Sequence, residues 1–519
     1  MTAVNDGLTQ SDWDNLTLVE AVAAIRSGRT TSRSGRTTSR SRRTTSRSGR
    51  TTSRSGRMTS HGLVQETIRR AKARADLHAF AYIDETGALA AASAADEALR
   101  NGSPGLGLLH GVPIIVKDTI HIRGMPNSAG TPGLRDFIPA EDAVVVERLR
   151  TAGAIMLGKG SMHELGCGPT GYNSIYVSKS GEIGIRNAYD STRIAGGSSS
   201  GNGAALGARI VTASLGADTG GSVRIPAALN GAASLRPTAG RYSQVGVSLI
   251  SPTLDSVGPM AQTVADLELL DRVITREPEV AALTSLKGLR LGVEQYFMQN
   301  MDEDTAEFVR DSLQELRDAG VEIIDITMPE LAKLNDGIGF AVAVGEHYDE
   351  LASYLAQYRP TMTVEQLVAQ IVSPDARHAF ATLTMPRQIP AEGMTDTMVD
   401  VGPAYEKAIN VTRPALQQLY RDTFVQYNLD GIVFPTVPVV AMKANQEACS
   451  RENFGLLTQN TRPSSNAGIP HVGIPVRLGK ASGLPLSISI DGPEGGDRRL
   501  LAIGMAVEKL FGRIPGPRC

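Results

Sequence analysis

The stretch GGSSSGNGAALGARIVTASLGADTGGSVRIPAALNGAASLRPT, residues 196–238, holds two Gly/Ser clusters whose serines Ser198 and Ser222 stand 24 residues apart. Glycines beside a serine let backbone approach backbone and allow dihedrals that other residues avoid. They also leave successive N–H groups free to converge on one point, which is how an oxyanion hole or an anion nest is built. Thr219, Gly220 and Gly221 directly precede Ser222. They would supply such donors, which places Ser222 as a nucleophile beside its own oxyanion hole. Taken alone, the stretch is equally open to a plainer reading: a pair of flexible loops, or a phosphate-binding loop at a helix start.

A serine hydroxyl is a weak nucleophile and needs a base. None of the eight histidines lies within 196–238. A lysine serves if it is kept neutral, and desolvation lowers its pKa by several units when burial is complete. Working outward, Lys117 ends the apolar run Val112–Val116 and precedes Asp118, in the segment GVPIIVKD, residues 111–118. That position suits a buried lysine. By itself it is also open to the simpler reading of a strand-end lysine reaching water.

The residues from about 105 to 275, with further matches at 430–438 and 464–510, resemble the amidase signature family of serine amide hydrolases. Gly196-Gly197-Ser198-Ser199 fits that signature in order and spacing. So do Asp218-x-Gly220-Gly221-Ser222-x-Arg224-x-Pro226-Ala227, then Gly231 and Pro237-Thr238. GVPIIVKD fits the family's lysine segment. The resemblance implies a Ser–Ser–Lys triad, with Ser222 as nucleophile, Ser198 on a cis peptide relaying the proton, and Lys117 as general base. It implies that Thr219, Gly220, Gly221 and the Ser222 amide hold the oxyanion, that Ser199 supports the site, and that no metal or cofactor takes part. Asp218 is expected to brace the loops, with Arg224 as its charge partner. The chain departs from the family pattern at Gly216-Ala217-Asp218, usually Gly-Thr-Asp, and at Ser200-Gly201, usually Gly-Gly.

Within that family, GYNSIYV, RNAYDSTRIAGGSSSG, ALNGAASLRPTAGRY and GPMAQTVADLELLDRVI are most similar to the bacterial aryl-acetamide hydrolases. This implies a small primary amide carrying an aromatic ring, such as indole-3-acetamide or mandelamide. Side chains from 125–175 and 310–445 would line its pocket. The alternative inside the family is the glutaminase component of a tRNA-dependent amidotransferase, which works with partner subunits.

Strands alternate with helices along the chain. Helices are predicted at 12–26, 63–75, 85–100, 141–152, 303–318, 403–427 and 497–511, and one running from 196–203 to about 213. Strands are predicted at 78–84, 111–118, 154–159, 289–294, 321–327, 430–438 and 484–490. The alternation predicts an α/β fold with a mainly parallel or mixed sheet. The resemblance makes this a large mixed twisted β-sheet flanked by helices on both faces, in a single large domain spanning 63–519. An N-terminal helical segment, 1–27, precedes it.

The 519 residues include 52 basic and 54 acidic side chains, for a net charge of -2. Residues 28–62 hold ten arginines and no acid, so the rest of the chain has 42 basic against 54 acidic residues. These residues repeat as GRTTSRS with a period of seven, but nothing apolar sits at the seam positions, which excludes a coiled coil. Their composition predicts a disordered loop. A basic arm for nucleic acid or acidic lipid is one reading. A tandem expansion of one surface loop is the favoured one, because no aromatic interleaves the arginines to stack on bases. Cys167, Cys449 and Cys519 offer neither a disulfide framework nor CxxC spacing. The polar, acidic N-terminus is not a secretory signal, and no apolar run approaches a membrane span. The expected setting is a cytoplasmic enzyme acting on a small molecule, with a homodimer left open.

Three motifs are decoys. GSSSG (197–201) satisfies GxSxG around Ser199, but RNAYDSTRIA before it is too polar for the required strand. GAIMLGKG (153–160) ends in Gly where a phosphate loop needs Ser or Thr. His163-Glu164 lacks the second histidine of a zinc helix. Cys167 has no basic neighbours and is expected to be inert.

Overall fold

The computed structural model describes residues 13–27, 58–179, 181–280, 283–391, 394 and 397–517. Most of the arginine repeat therefore lies outside the described residues. Its last five, Met58 to Gly62, do not.

Among the described residues thirteen strands form, in chain order: β1 (Phe80–Ile83), β2 (Pro113–Lys117), β3 (Ile155–Gly160), β4 (Ala213–Asp218), β5 (Ala233–Arg236), β6 (Ser256–Ala261), β7 (Arg290–Glu294), β8 (Glu322–Ile326), β9 (Gln388–Pro390), β10 (Met398–Asp400), β11 (Gly431–Pro435), β12 (His471–Leu478) and β13 (Pro485–Asp491). Strands β9 and β10 make a separate antiparallel pair. The other eleven form one sheet in the order β1-β3-β2-β4-β6-β5-β12-β13-β11-β7-β8. It is mixed. Strand β2 runs parallel to β3 and β4, and β7 runs parallel to β8 and β11, whereas β4, β6, β5, β12 and β13 pair antiparallel in turn. One sheet therefore carries residues from Phe80 to Asp491, as the single-domain reading expected.

Side chains of a strand alternate between faces, and the two faces bury separate cores. Ile114, Val116, Met156 and Leu215 pack on one face with Val145 and Leu149, Val264 and Leu267, and Leu500 and Ile503 from three helices. Ile115, Ile155 and Leu157 pack on the other with Val64 and Ile68, Ala88 and Ala92, and Ala204 to Leu206. Helices thus cover both faces, which is why Pro113–Val116 of β2 and Ile155–Gly158 of β3 read as apolar runs. No helix among the described residues is long and apolar enough to cross a membrane.

Several boundaries differ from the sequence expectation. The first long helix is Leu18–Ser27. Thr17 and Glu20 start it with a reciprocal cap, each side chain accepting the other's amide N–H at 3.1 Å. The second begins at Ser60, because Thr59 Oγ1 accepts the Gly62 N–H at 2.9 Å. The helix expected to run to about 213 stops at Gly207, Arg209 turns the chain with φ 57°, and Ala213 already belongs to β4. The long helix after 402 is unbroken in path but widens at Ala408–Thr412, just before Pro414, whose missing N–H cannot continue a regular turn.

Candidate active site

Lys117 closes β2, only 3% exposed. Its Nζ lies 2.8 Å from Ser198 Oγ and donates to the Ala217 carbonyl at 3.1 Å. Burial pushes its pKa down to about 8, against the pull of the Asp255 and Asp218 carboxylates. Ser198 follows a cis Gly197–Ser198 peptide. A Cβ at Gly197 would stand 2.9 Å from both the Gly168 carbonyl and the Gly171 N–H, so only glycine passes there.

Ser199 joins the two clusters. Its N–H donates to the Ser222 carbonyl at 3.0 Å, and its Oγ donates to the Ala217 carbonyl at 3.2 Å. Ala217 thus acts through its carbonyl, which any residue supplies, so the departure from the family's threonine leaves these bonds intact. Ser200 places its hydroxyl 3.4 Å from the Ser198 carbonyl.

Beneath the second cluster lies a fully buried ionic centre. Asp218 accepts from Arg224 Nε and Nη2 at 3.0 and 2.9 Å and from Arg236 Nη1 at 2.8 Å. Burial alone would push its carboxyl up, but the two guanidiniums outweigh it and hold the group well below the usual carboxylate range. Arg224 also donates to Ser464 Oγ and Ser465 Oγ at 2.9 and 2.6 Å. The expected Asp218–Arg224 pair is present. Arg236, on the apolar strand ASLR, was not anticipated as its second cation. A strand ending in arginine before Pro237 was the available signal.

The expected oxyanion loop needs one correction. The Gly221 N–H is already donated to Asp218 Oδ1 at 2.9 Å, because the chain folds over the carboxylate it surrounds. The N–H groups of Thr219, Gly220 and Ser222, and the Ser222 hydroxyl, have no hydrogen-bond partner among the described residues. Gly221 is required by its φ of 135° and because a Cβ there would collide with Thr461 Oγ1. Thr461, also missed from the sequence, fixes the loop by donating to the Gly220 carbonyl at 2.7 Å.

Of these groups, Lys117, Ala217 and Thr219 line a small cleft open to solvent. Lys117, Thr119, Thr219, Asp255 and His347 are among its polar lining residues, and Ala129, Leu165, Leu249, Ile250 and Leu351 among its apolar ones. The expected ranges 125–175 and 310–445 each contribute, and residues 248–255 add a wall that no pattern announced. Asp255 accepts the Ile250 and Ser251 N–H groups at 2.7 and 3.2 Å. Burial pushes its carboxyl up, partly offset by the Thr219 hydroxyl and the backbone donors.

The decoys resolve into structural roles. Ser199 opens a helix without a preceding strand. Lys159 sits within β3, donating to the Ile120 carbonyl and Asn127 Oδ1 at 2.6 Å. His163 Nε2 lies 3.0 Å from Asp375, and Glu164 accepts the Ser373 N–H at 2.7 Å. Burial, with Asp375 and Glu164 nearby, pushes the Cys167 thiol up, in keeping with an inert group.

Comparison with known proteins adds an independent line. The family model described as Amidase matches residues 62–501. Mandelamide hydrolase of Pseudomonas putida is 41% identical over 459 residues, covering 88% of this chain and 89% of that protein. Indoleacetamide hydrolase of Rhizobium radiobacter is 37% identical, over 87% of this chain and 93% of that protein. A glutamyl-tRNA(Gln) amidotransferase subunit of Chloroflexus aurantiacus is 32% identical, over 84% of this chain and 89% of that protein. A crystal structure of an amidase superposes with a TM-score of 0.72 at 30% identity, over 88% of this chain and 97% of that one.

Proposed function

The chain belongs to the amidase family, and on that premise we propose that it hydrolyses a small aryl-acetamide, such as mandelamide or indole-3-acetamide, through an acyl-enzyme on Ser222. Carboxylate and ammonia are the products. The observation that carries this reading is the 2.8 Å contact between buried Lys117 and Ser198, on the loop whose next residue holds the Ser222 carbonyl. The higher identity to the two aryl-amide hydrolases than to the amidotransferase protein supports this substrate class.

The reaction starts from neutral Lys117. Ser222 Oγ attacks the amide carbon as its proton passes to Ser198 Oγ, whose own proton passes to Lys117 Nζ. The oxyanion settles among the Thr219, Gly220 and Ser222 amides, which need no reorganisation to receive it. The C–N bond then breaks as the proton returns through Ser198 to the nitrogen, and ammonia leaves. Water, deprotonated by the same relay, attacks the Ser222 ester, and the carboxylate departs with the serine restored. A serine between lysine and nucleophile extends the lysine's reach and delivers the proton at the leaving group. We place this enzyme in the cytoplasm, with a small-molecule amide as its partner.

Ammonia release from indole-3-acetamide, mandelamide, phenylacetamide, a short aliphatic amide and glutamine tests the proposal. Turnover of the aryl amides is expected. Turnover of glutamine alone would move the enzyme to the amidotransferase branch.

A further inference from the structure

A second cavity lies at the far ends of two strands that carry the site. Pro113 opens β2 and Thr212 directly precedes β4, whereas Lys117 and Asp218 close those strands. Arg70, on the helix Ser60–Ala73, and Arg209 line this cavity with Pro113 and Thr212, and Leu16 and Leu63 add apolar wall. Arg70 is 7% exposed, and Arg209 and Thr212 are 8% exposed. Each leaves a polar side-chain atom without a hydrogen-bond partner among the described residues: Arg70 Nη2, Arg209 Nε and Thr212 Oγ1. The two guanidiniums differ in how their charge is met. Arg70 Nε lies 2.7 Å from Glu66 Oε1, and its Nη1 lies 2.8 Å from Asp14 Oδ1. Arg209 donates to neutral groups, Gln262 Oε1 and the Ile514 carbonyl, the latter at 3.1 Å. Among the described residues no carboxylate lies within ion-pair distance of Arg209, and Asp14 acts on it only through space. A guanidinium keeps its charge at any working pH, and a buried charge without a partner is strongly destabilising.

We propose that this cavity binds a small monovalent anion, which is the counterion of Arg209 and accepts from Arg209 Nε, Arg70 Nη2 and Thr212 Oγ1. The occupant follows from the donors and the charge. A water offers two lone pairs to three donors and brings no charge. An anion takes all three, and hydrogen bonds to an ion are about twice as strong as neutral ones. A dianion overshoots, because Glu66 and Asp14 already meet Arg70 and leave one uncompensated positive charge on the wall. The other cations nearby, Arg69 beside Glu66 and Arg513 acting on Arg209, are exposed and met by water. The site is separate from the relay and does not depend on the substrate reading. An ion held there by the folded chain alone raises its stability by mass action.

The test follows Tm of the full chain in rising sodium chloride, sodium acetate and sodium sulfate, in the wild type, Arg209→Met and Thr212→Val. General salt effects are common to all three proteins, so the site is read from the difference between wild type and variant. In the wild type Tm should rise by about 1 °C more per tenfold increase in chloride or acetate than in Arg209→Met, the linkage expected for a chain of this size. Thr212→Val loses one donor and keeps its shape, so its response should move to about tenfold higher anion. It also reads the site if Arg209→Met does not fold. A response to chloride alone assigns a halide and one to acetate alone a short carboxylate, and either supports the inference. Where chloride acts, crystals grown in bromide should show an anomalous peak within hydrogen-bond reach of Arg209 Nε. A response to sulfate alone, a response unchanged in a folded variant, or a chloride response with no bromide in the cavity overturns it.

Discussion

Lys117 Nζ and Ser198 Oγ meet 2.8 Å apart in the interior, and the lysine's other bond goes to the Ala217 carbonyl at 3.1 Å. Among the described residues no carboxylate is within ion-pair distance of the amine, so none in contact with it compensates a full positive charge. Asp255 and Asp218 act on it only through space. A neutral amine has two N–H groups and a lone pair, which matches one carbonyl to donate to and one hydroxyl to accept from.

The pH profile follows from this contact. Lys117 works as the unprotonated base, and burial brings its pKa down to about 8. Lowering the pH protonates it, so kcat/KM should fall about tenfold per unit below that pKa. Above it the rate should level off. A rate that rises into acid would contradict a lysine base. Lys117→Met should abolish acylation at every pH.

The two serines of the relay should separate from their neighbour Ser199. Ser222→Ala and Ser198→Ala each remove a link, and turnover should drop by about 10³ or more, as for other triad members. Ser199→Ala removes the hydroxyl's bonds to the Ala217 carbonyl and N–H, at 3.2 and 3.4 Å, and keeps its backbone hold on Ser222. Its loss should be about ten- to a hundredfold, appropriate to one or two hydrogen bonds. Trapping of an acyl-enzyme by mass spectrometry in wild type but not in Ser222→Ala would fix the nucleophile. Near-normal activity in Ser222→Ala would remove it.

The ionic centre under the loop should respond as a buried charge cluster. Arg224→Met leaves Asp218 with Arg236 alone and strips Ser464 and Ser465 of their donor. Breaking such a pair costs about 3–5 kcal/mol. Urea denaturation should show that loss, with activity falling further than stability because Asp218 also holds the Gly221 and Val223 amides. A variant as stable as wild type would show that the cluster is not what positions the loop.

Much of this site was legible because its chemistry needs rare residues at fixed spacing: the two serines, the glycines around them and a lysine ending an apolar run. What stayed hidden was made by the fold. Strands β4, β5 and β6 read ASLGAD, ASLR and SVGPMA, small residues with little strand preference, extended only because the sheet buries them on both faces. Arg236, Thr461 and Asp255 reach the site from distant segments, and His347 sits mid-helix, where spacing alone marks it as core. The Gly221 N–H looked free in sequence because nothing there shows the chain curling back over Asp218.

The N-terminal repeat offers a last test, in which the boundary matters. From the sequence the basic segment runs to residue 62, but Met58 is already in the core, 2% exposed, in the same cluster as Leu18, Val22 and Ile25 of the first helix. Asp96 accepts the Ser60 and His61 N–H groups at 2.7 and 3.0 Å, and Thr59 caps the helix. We therefore expect deletion of residues 35–56 to leave ammonia release and Tm close to wild type. Deletion of 35–62 also removes a cap worth about 1 kcal/mol, a buried methionine worth about 1.5–3 kcal/mol, and both partners of a buried carboxylate. Tm should drop by several degrees. If the shorter deletion alone abolishes hydrolysis, the repeat contributes to the active fold, and its reading as an expanded surface loop fails.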